Sequence, residues 1–515
     1  MLIYTKMIKA FLLVVALALT NSHVFAAPFQ KPEKVVRICD LNDDEPVRLD
    51  PHMQFEERNN NIVNQIFESL LCINQKSTPT PFLAKEWTRL SDTVVQFKLR
   101  PGICFHNGEP CDAKAVKFSL ERNISVKSQS SNAHMLDSIA RIDVVDDLTF
   151  NIVTKFHDGL LLRRLAEFGY LVPPSYLTEV GQKYFEKHPV GTGPFRFHEW
   201  IRGEKMVLLA NPNYWRQGYP KIDRLEFYFA DMQKRLIMFM EGKLDFITDF
   251  EPSQTLMISQ DPENKILKMP SWTALAINFN LRKEGPFQKK KVRQALNYAI
   301  NVPNIIRYVT RGNAKHIATL SMPEEFGFNT ELHPYPFDLK KARELLKEAG
   351  YPDGFEATLL IDDIQGGKDG KLAKILRVQL SKIGVRANIS GGNGTREIVL
   401  PNFRGEVPQT DMFCLLCPDP LGHIMFIEGK VFYHHSAPFS LMNEPKFNRL
   451  YDKIITTLDL ELQEKLCHKL EELIYDEAYS IFTYQQIKLY ALKKKIKYLP
   501  HITGMLYLSN IELME

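Results

Sequence analysis

The segment from residue 419 to 435 concentrates side chains that bind metals or polar ligands. An aspartate, three histidines and a tyrosine fall within it: Asp419, His423, His434, His435 and Tyr433. Imidazole and carboxylate groups together ligate transition metals, and aromatic walls with a few polar groups also suit an organic ligand. The simpler alternative is that the adjacent His434 and His435 lie on a surface loop. The segment therefore supplies candidates for ligand binding, with the histidines as weak candidates for a metal.

The cysteines offer a second possible chemistry. Cys414 and Cys417 have the two-residue spacing of redox and zinc sites, but they lack a second such pair and lie in an apolar run. Cys104 and Cys111 flank a glycine-containing turn, which makes them plausible disulfide partners in an exported protein. The total of seven is odd, so at least one thiol is left unpaired or pairs outside the chain.

The usual sequence signatures of catalysis are missing. The chain has no G-x-S-x-G elbow, no H-E-x-x-H and no G-x-G-x-x-G that opens a helix after a strand. The stretch 366–371 is rich in glycine and lysine but fails the spacing of a phosphate-binding loop, because Leu372 stands where the magnesium-binding hydroxyl is required. We therefore expect no catalytic residue, no resident cofactor and no enzymatic activity.

These residues must be positioned by a mixture of strands and helices. Hydrophobic spacing predicts strands over 35–38, 87–99, 191–200 and 225–229, and helices over 59–71, 113–122, 289–300, 339–349, 372–383 and 462–475. Asp338 is placed to cap the helix over 339–349, and Gly350 ends it. Because strands and helices alternate with short connections, the chain is predicted to be an α/β protein.

Length and composition are those of a protein with more than one domain. At 515 residues the chain is too long for a single hydrophobic core, so two or three domains are expected. Its apolar fraction of 44% and charged fraction of 24% are ordinary for a globular protein. A net charge of +4 is too small to suggest nucleic acid as a partner, and the short lysine runs at 289–291 and 493–495 are typical of solvated surfaces.

The N-terminus has the pattern of a cleaved export signal. Lys6 and Lys9 precede an apolar stretch at 10–19, and the small residue Ala26 follows at a position where signal peptidase cuts. The apolar stretch is too short to span a bilayer, which needs about 20 apolar residues. The first cysteine, Cys39, is too distant to accept a lipid. We therefore expect cleavage after about Ala26 and a protein free in the periplasm that is not a lipoprotein.

Blocks along nearly the whole mature chain resemble one protein family. The blocks are RLDPH at 48–52, PFLAKEW at 81–87, FKLRPG at 97–102, FHNG at 105–108, GTGPF at 191–195 and VRQAL at 292–296. In this order they resemble the family 5 extracellular solute-binding proteins, the periplasmic oligopeptide-, dipeptide- and nickel-binding proteins of ABC importers.

The resemblance implies an α/β, two-lobed periplasmic binding protein, type II-like, with an inserted domain and three domains in total. Domain I is expected to be discontinuous, over 27–72, 193–270 and 482–515. Domain II is expected to be the insertion at 73–192, and domain III the second ligand-binding lobe at 271–481. Ligand is expected between domains I and III, enclosed when the hinge closes. The implied partners are a small ligand and an ABC permease in the inner membrane, and the protein is expected to be a monomer.

The sequence departs from the family where the ligand binds. Peptide binders of the family carry an Asp, after a Trp-containing stretch, that pairs with the α-ammonium group of the peptide. Here Asp419 is either that residue after a deletion or the acidic residue before Pro420, whose role differs. Counting back from Pro420 puts Leu416 in the ammonium position, where an ammonium without a partner is costly to bury. Arg404 is a candidate to meet a ligand carboxylate through its planar fork, and a surface salt bridge is the alternative.

The sequence leaves several functions open. The first is capture of short peptides for import. The second is the same role for nickel, a metal chelate or another non-peptide ligand, because nickel-binding relatives lack the Asp and hold a chelated metal with aromatic, Arg and His contacts. A peptide-holding, chaperone-like role needs no transporter, and an enzyme needs convergent nucleophile and base groups in the cleft.

Overall fold

The computed structural model describes residues 33–40, 45–53, 57–125, 130, 133–248, 250–363 and 367–514. The predicted signal peptide at 1–26 lies outside these residues. No helix within the described ranges is both long enough and apolar enough to cross a membrane.

Strands and helices alternate along the described chain, as the sequence predicts. The strands are β1 (Val35–Cys39), β2 (Leu71–Ile73), β3 (Pro79–Pro81), β4 (Ala84–Ser91), β5 (Val94–Leu99), β6 (Ile139–Val144), β7 (Thr149–Thr154), β8 (Phe195–Ile201), β9 (Lys205–Ala210), β10 (Arg224–Tyr228), β11 (Phe246–Thr248), β12 (Asn264–Phe279), β13 (Ala314–His316), β14 (Glu356–Asp362), β15 (Arg386–Gly392), β16 (Met412–Pro418), β17 (Ser480–Lys493), β18 (Ile496–Lys497) and β19 (Glu512–Leu513). The α-helices are α1 (Glu57–Ile66), α2 (Ala113–Ile124), α3 (Leu161–Phe168), α4 (Pro174–Val180), α5 (Gln182–Phe185), α6 (Met232–Met240), α7 (Thr255–Gln260), α8 (Lys290–Ala299), α9 (Val302–Tyr308), α10 (Leu339–Glu348), α11 (Lys371–Ser381), α12 (Leu400–Phe403), α13 (Pro445–Thr456) and α14 (Leu460–Glu477). Two π-helices lie at Thr395–Val399 and Met425–Tyr433.

One large mixed sheet runs through the molecule. Its strands lie in the order β15-β14-β16-β12-β17-β11-β1-β10-β9-β8, with β13 paired to β17. The long strands β12 and β17 pair antiparallel along most of their length, and the two parts of the sheet join there. We call residues 35–270 and 486–514, which include β1 and β8–β11, the first lobe. We call residues 271–485, which include β14–β16, the second lobe.

The first lobe packs one face of its sheet against α1 and the C-terminal tail. Ile38 of β1 and Ile66 of α1 belong to one buried apolar cluster. The Gln65 amide donates to the Leu506 carbonyl at 2.7 Å and accepts from the Leu508 N–H at 3.1 Å. The tail is thereby fixed to α1 by hydrogen bonds as well as by apolar contacts.

A separate four-stranded sheet, β4-β5-β7-β6, is inserted into the first lobe. The sequence pattern predicts a single strand over 87–99, and this prediction is wrong because β4 and β5 form a hairpin with its turn at Asp92 and Thr93. Most of β4 is exposed to solvent, so its residues show no apolar alternation. On the buried face of the sheet, Phe97 and Phe150 stack with ring centroids 5.4 Å apart.

The second lobe packs helices on both faces of its part of the sheet. On one face, Leu275 and Leu359 from the strands meet Leu296, Leu346 and Leu376 from α8, α10 and α11. The opposite face is covered by the π-helix at 425–433 and by α13 and α14. With both faces covered, the central strands of this lobe are buried on each side.

The cysteines that the sequence singles out are free thiols. Cys104 pairs with Pro110 across a short hairpin, and neighbouring residues of a strand point to opposite faces, so Cys104 is exposed while Cys111 is buried. The disulfide that their spacing made plausible is not formed in this structure. Cys414 and Cys417 are buried on β16, and burial raises the pKa of both thiols. A thiol that stays protonated in an apolar strand is poorly suited to redox or zinc chemistry.

Candidate ligand-binding cleft

The chain crosses between the lobes twice, once in β12 and once in β17. The register of β12 against β17 shifts between Pro270 and Ala274. At this break the Ser271 hydroxyl donates to the Gln486 carbonyl at 3.1 Å, and the Gln485 amide donates to the Ser271 carbonyl at 3.1 Å. Two crossings with an interrupted ladder form a hinge, because a few backbone dihedrals there can rotate one lobe against the other. The boundary between the lobes beside this hinge is therefore the candidate site.

Asp419 builds a tight turn of the second lobe at this boundary. Its Oδ1 accepts hydrogen bonds from the N–H groups of Leu421 at 2.6 Å and Gly422 at 3.1 Å. Its Oδ2 accepts from the His423 N–H at 3.0 Å, and its own N–H donates to the Trp272 carbonyl at 2.6 Å. We call residues 419–423 the Asp419 turn. These contacts show that Asp419 shapes the turn, and the role of ammonium anchor stays a prediction.

A second buried carboxyl, Glu325, interacts with Asp419. Burial and the charge of Asp419 raise the pKa of Glu325 well above its usual range, and burial also raises the pKa of Asp419. One Glu325 oxygen accepts a hydrogen bond from the Met322 N–H at 2.8 Å. Burial and the charge of Asp419 thus both favour a protonated Glu325 beside the Asp419 carboxylate.

Two side chains of the first lobe form hydrogen bonds to the Asp419 turn. Arg163, on α3, donates from Nη1 to the carbonyls of Leu421 at 2.8 Å and Gly422 at 3.1 Å. The Ser77 hydroxyl donates to the Gly422 carbonyl at 2.6 Å and accepts from Arg163 at 3.2 Å. Burial lowers the pKa of Arg163 to about 10, and the nearby Asp419 carboxylate opposes this effect. We call Arg163, Ser77 and the two carbonyls the interlobe clasp.

The clasp requires a glycine at position 422. Gly422 has a φ of +59°, a conformation that side chains disfavour. A Cβ atom there would lie 2.3 Å from the Trp272 ring and 2.4 Å from the Ser77 hydroxyl oxygen. Because Gly422 has no side chain, the Asp419 turn can lie close both to Trp272 beside the hinge and to Ser77 of the first lobe.

The predicted histidines lie in two separate surroundings. His423 is buried, and its Nδ1 accepts a hydrogen bond from the Met425 N–H at 3.2 Å. His434 packs on Tyr451 and on the exposed His435, with His–His ring centroids 4.2 Å apart. Burial and His435 lower the pKa of His434 to about 4. Across the described parts of the chain, no group of three or more His, Cys, Asp or Glu side chains could hold a metal ion.

Tyr433 and Arg404 lie away from the Asp419 turn. Tyr433 is buried inside the second lobe, where its hydroxyl lies 2.5 Å from the Ser480 hydroxyl. Arg404 is exposed, forms a 3.0 Å ion pair with Glu406 and lines an open cavity of about 950 Å³. The structure therefore does not bring Arg404 and Asp419 together, and the ligand contacts proposed for Arg404, Tyr433 and the histidines stay predictions.

A polar cluster that the sequence did not predict lies where β1 and β11 end. The Asp40 carboxylate accepts hydrogen bonds from Asn61 Nδ2 at 2.6 Å and from the Thr248 hydroxyl. Burial lowers the pKa of Lys488, on β17 near the hinge, to about 8, and Asp40 opposes this effect. Because β1 and β11 are parallel, this cluster lies at the carboxyl ends of strands, where open α/β sheets bind ligands. The available signal was an acidic residue, Asp40, two positions after the predicted strand over 35–38.

Comparison with protein families matches residues 78–411 to the bacterial extracellular solute-binding proteins, family 5 Middle. Among curated proteins, the glutathione-binding protein GsiB of Pectobacterium atrosepticum is 30% identical over 345 residues, which are 66% of this chain and 66% of that protein. The chain thus spans about two thirds of the length of this curated relative.

Solved structures share the fold. DppA from Helicobacter pylori, in complex with the peptide STSA, aligns with a TM-score of 0.79 and 23% identity over 94% of this chain and 99% of that one. NikZ from Campylobacter jejuni, in complex with Ni(L-His), aligns with a TM-score of 0.76 and 23% identity over 93% of this chain and 98% of that one. These likenesses confirm the predicted two-lobed α/β fold but do not choose between the two ligands.

The family match and the shared fold confirm the resemblance found in the sequence. The chain belongs to the bacterial extracellular solute-binding proteins of family 5, the substrate-binding components of ABC importers.

Proposed function

We propose that this protein captures short peptides between its two lobes and delivers them to the permease of an ABC importer. The observation that carries the proposal is a two-strand hinge combined with a clasp across the lobe boundary, since closure needs both a pivot and contacts made only when closed. The relatives support a peptide-type ligand. GsiB is named for glutathione, which is a tripeptide, and DppA was solved with the peptide STSA. We infer that this chain, like other members of the family, binds its ligand without catalysing a reaction of it.

The three domains implied by the resemblance are part of this proposal. Domain I comprises 27–72, 193–270 and 482–515, domain II comprises 73–192, and domain III comprises 271–481. In support, the sheet β4-β5-β7-β6 falls within 73–192, and the register shift between Pro270 and Ala274 falls at the boundary between domains I and III. Peptide would then bind between domains I and III.

The proposed location is the periplasm. Members of this family act as periplasmic binding proteins, which supports export and removal of residues 1–26. We propose that the exported protein is a monomer, since one chain supplies both lobes, the hinge and the clasp.

The proposal is tested by thermal unfolding of ligand-stripped protein with peptides of two to five residues, with glutathione, and with nickel plus histidine. A ligand that binds only the folded protein raises its free energy of unfolding by about 2.7 kcal/mol when the ligand concentration is a hundred times the dissociation constant. We expect the melting temperature to rise with peptides. A rise only with nickel and histidine would replace the peptide by a metal chelate, and binding of unfolded polypeptides alone would favour the chaperone-like role.

A further inference from the structure

The segment from residue 370 to 396 carries positive charge only. It contains six lysine and arginine residues and no aspartate or glutamate. At the average composition of the chain, in which acids and bases are nearly balanced, a stretch of this length would hold about three acids. The small net charge of the whole protein hides this local excess, so its position in the fold has to be considered separately.

Most of this charge lies on one face of α11. The opposite face of the helix is apolar and packs inside the second lobe. Residues three or four positions apart lie on the same side of a helix, so the outward side chains form a continuous stripe. The members of the stripe are all exposed: Lys371, Lys374, Arg377, Val378 and Lys382. The stripe thus consists of cations around one apolar side chain, that of Val378, which is 59% exposed.

Three of these cations have no acidic partner in the fold. Among the residues that the structure describes, the side chains of Lys374, Arg377 and Lys382 form no ion pair and no hydrogen bond. A lysine on a neighbouring helix does have an acid, since Lys291 of α8 pairs with Glu348 at 3.0 Å. Cations without acids nearby raise the local positive potential, which salt alone then screens. We call the three cations together with Val378 the basic face.

The surroundings of α11 place the basic face on the outside of the second lobe. Arg343, on α10, donates from Nη2 to the Lys382 carbonyl at 2.7 Å, so a further cation covers the C-terminal end of α11. At the other end, Lys371 pairs with Glu251 of the first lobe at 3.6 Å, so α11 begins at the lobe boundary. The neighbouring strand β15 is the edge of the large sheet. A partner can therefore approach the basic face without entering the cleft.

A surface of anionic phospholipid headgroups is the partner that fits this face. From Lys374 to Lys382 the cations extend about 12 Å along the helix, so a single small anion would meet only one or two of them, whereas a lipid surface meets all three. Helices that lie on membranes carry lysine and arginine beside exposed apolar side chains, as the basic face does with Val378. The family to which the chain belongs serves ABC importers, so the protein works next to a membrane.

We propose that the basic face binds anionic phospholipid headgroups of the membrane that holds the importer, and thereby keeps the second lobe close to the permease. This inference goes beyond the proposed function and does not depend on which ligand the cleft holds. The contact is electrostatic and shallow, so binding is expected to be weak, reversible and sensitive to salt.

Co-sedimentation with phospholipid vesicles tests the proposal. Residues 27–515 are used, because the basic and apolar export signal would itself bind lipid. The vesicles consist of phosphatidylcholine alone or of phosphatidylcholine with about one third phosphatidylglycerol, which is anionic. Raising the salt concentration from about 0.05 M to about 0.5 M shortens the screening length from roughly 14 Å to roughly 4 Å. We expect binding only to the vesicles with phosphatidylglycerol, and loss of that binding at the higher salt concentration.

Variants assign the binding to the basic face. In the triple variant Lys374→Gln, Arg377→Gln and Lys382→Gln, each lost cation should weaken binding about fivefold, so we expect a fall of roughly a hundredfold in the partition onto vesicles. The matched control removes three exposed cations of the first lobe: Lys85→Gln, Lys114→Gln and Lys234→Gln. Both variants lower the net charge by three. The control is expected to bind vesicles within about twofold of the wild type, because its charges lie beyond the screening length from the lipid.

Three results would overturn the proposal. The first is absence of binding to phosphatidylglycerol vesicles at the lower salt concentration. The second is an equal loss of binding in the triple variant and the control, which would assign the effect to net charge. The third is binding to immobilised polyglutamate without binding to vesicles, which would assign the face to an acidic protein surface. Peptide capture is measured without vesicles, so none of these results affects the proposed function.

Discussion

The molecule contains two groups of buried carboxyl side chains, one between the lobes and one inside the second lobe. They differ in whether their partners come from one lobe or from both. In the interlobe group, Arg163 comes from the first lobe, whereas Asp419 and Glu325 come from the second. The group inside the second lobe consists of Glu428 and Glu471.

The Glu428–Glu471 pair is satisfied within its own lobe. Glu471 accepts hydrogen bonds from the hydroxyls of Thr319 at 2.8 Å and Ser321 at 2.5 Å, and Glu428 accepts from the Leu320 N–H at 3.1 Å. Burial and the charge of Glu471 raise the pKa of Glu428 well above its usual range. One shared proton between the two carboxyls completes the pair.

The difference lies in what happens when the lobes separate. Hinge rotation leaves Glu428 and Glu471 together, so their proton contributes to the stability of one lobe. The same rotation would separate Arg163 from the Asp419 turn, so the interlobe hydrogen bonds are complete only when the lobes are closed. The acid pair inside the second lobe therefore affects the stability of the fold, whereas the interlobe group affects closure of the lobes.

The largest effect is expected at the glycine of the clasp. Gly422→Ala adds a clash with Trp272 and Ser77 to an unfavourable φ, and we expect a loss of about 3 kcal/mol or more in the free energy of unfolding. The matched control is Gly405→Ala, where φ is +74° and nothing lies within 4 Å, with an expected loss of about 1 kcal/mol. Urea unfolding measures the loss of stability in both variants. Equal losses would mean that Trp272 and Ser77 move aside at no cost, which would contradict the predicted clash.

Removal of the clasp cation should break closure without unfolding a lobe. Arg163→Gln removes charged hydrogen bonds to two carbonyls of the second lobe, and we expect peptide affinity to fall about tenfold or more. Arg164→Gln is the control, because Arg164 pairs with Asp158 at 3.1 Å inside the first lobe. That control should lower thermal stability and leave affinity nearly unchanged. A larger affinity loss in the control would place the closing contacts elsewhere.

The acid pair of the second lobe should govern pH-dependent stability and not affinity. The pKa of Glu428 is raised in the folded state, so its contribution is complete below the unfolded pKa and is lost as pH rises toward the folded value. Glu428→Gln imitates the protonated acid and should flatten the fall in stability above pH 5, leaving the variant more stable by about 1 kcal/mol at pH 9. Urea unfolding at pH 5, 7 and 9 measures this. A parallel pH profile in wild type and variant would show that another group takes up the proton.

The smallest effect is expected at Arg404. It pairs with Glu406 on the surface, and exposed ion pairs contribute about 0–1 kcal/mol. Arg404→Gln should therefore change peptide affinity less than about twofold by titration calorimetry. A tenfold loss would restore its predicted role as a contact for a ligand carboxylate.

Elements with strong local signals were predictable from the sequence. The Asp338 side chain accepts a hydrogen bond from the Lys341 N–H at 2.9 Å at the start of α10, and Gly350 follows the helix with φ +86°. The long strand β17 was not predicted, because both of its faces are largely buried and its residues therefore lack polar–apolar alternation. The hinge depends on that strand, so local patterns did not locate it, and the expected domain boundaries at 270/271 and 481/482 came from the family resemblance instead.

The candidate site was predictable only in part. The sequence drew attention to Asp419 because of its neighbours in a short segment. Arg163 carried no signal, since its hydrogen bond to Leu421 joins residues 258 positions apart. Such a contact depends on how the lobes meet, which local patterns do not encode.

Small-angle X-ray scattering of the ligand-free and peptide-saturated protein measures closure of the lobes. We expect that peptide lowers the radius of gyration as the lobes close, and that Arg163→Gln weakens this change at a given peptide concentration. Bound peptide with an unchanged radius of gyration would contradict capture by closure, and compaction by nickel and histidine but not by peptide would contradict the proposed ligand.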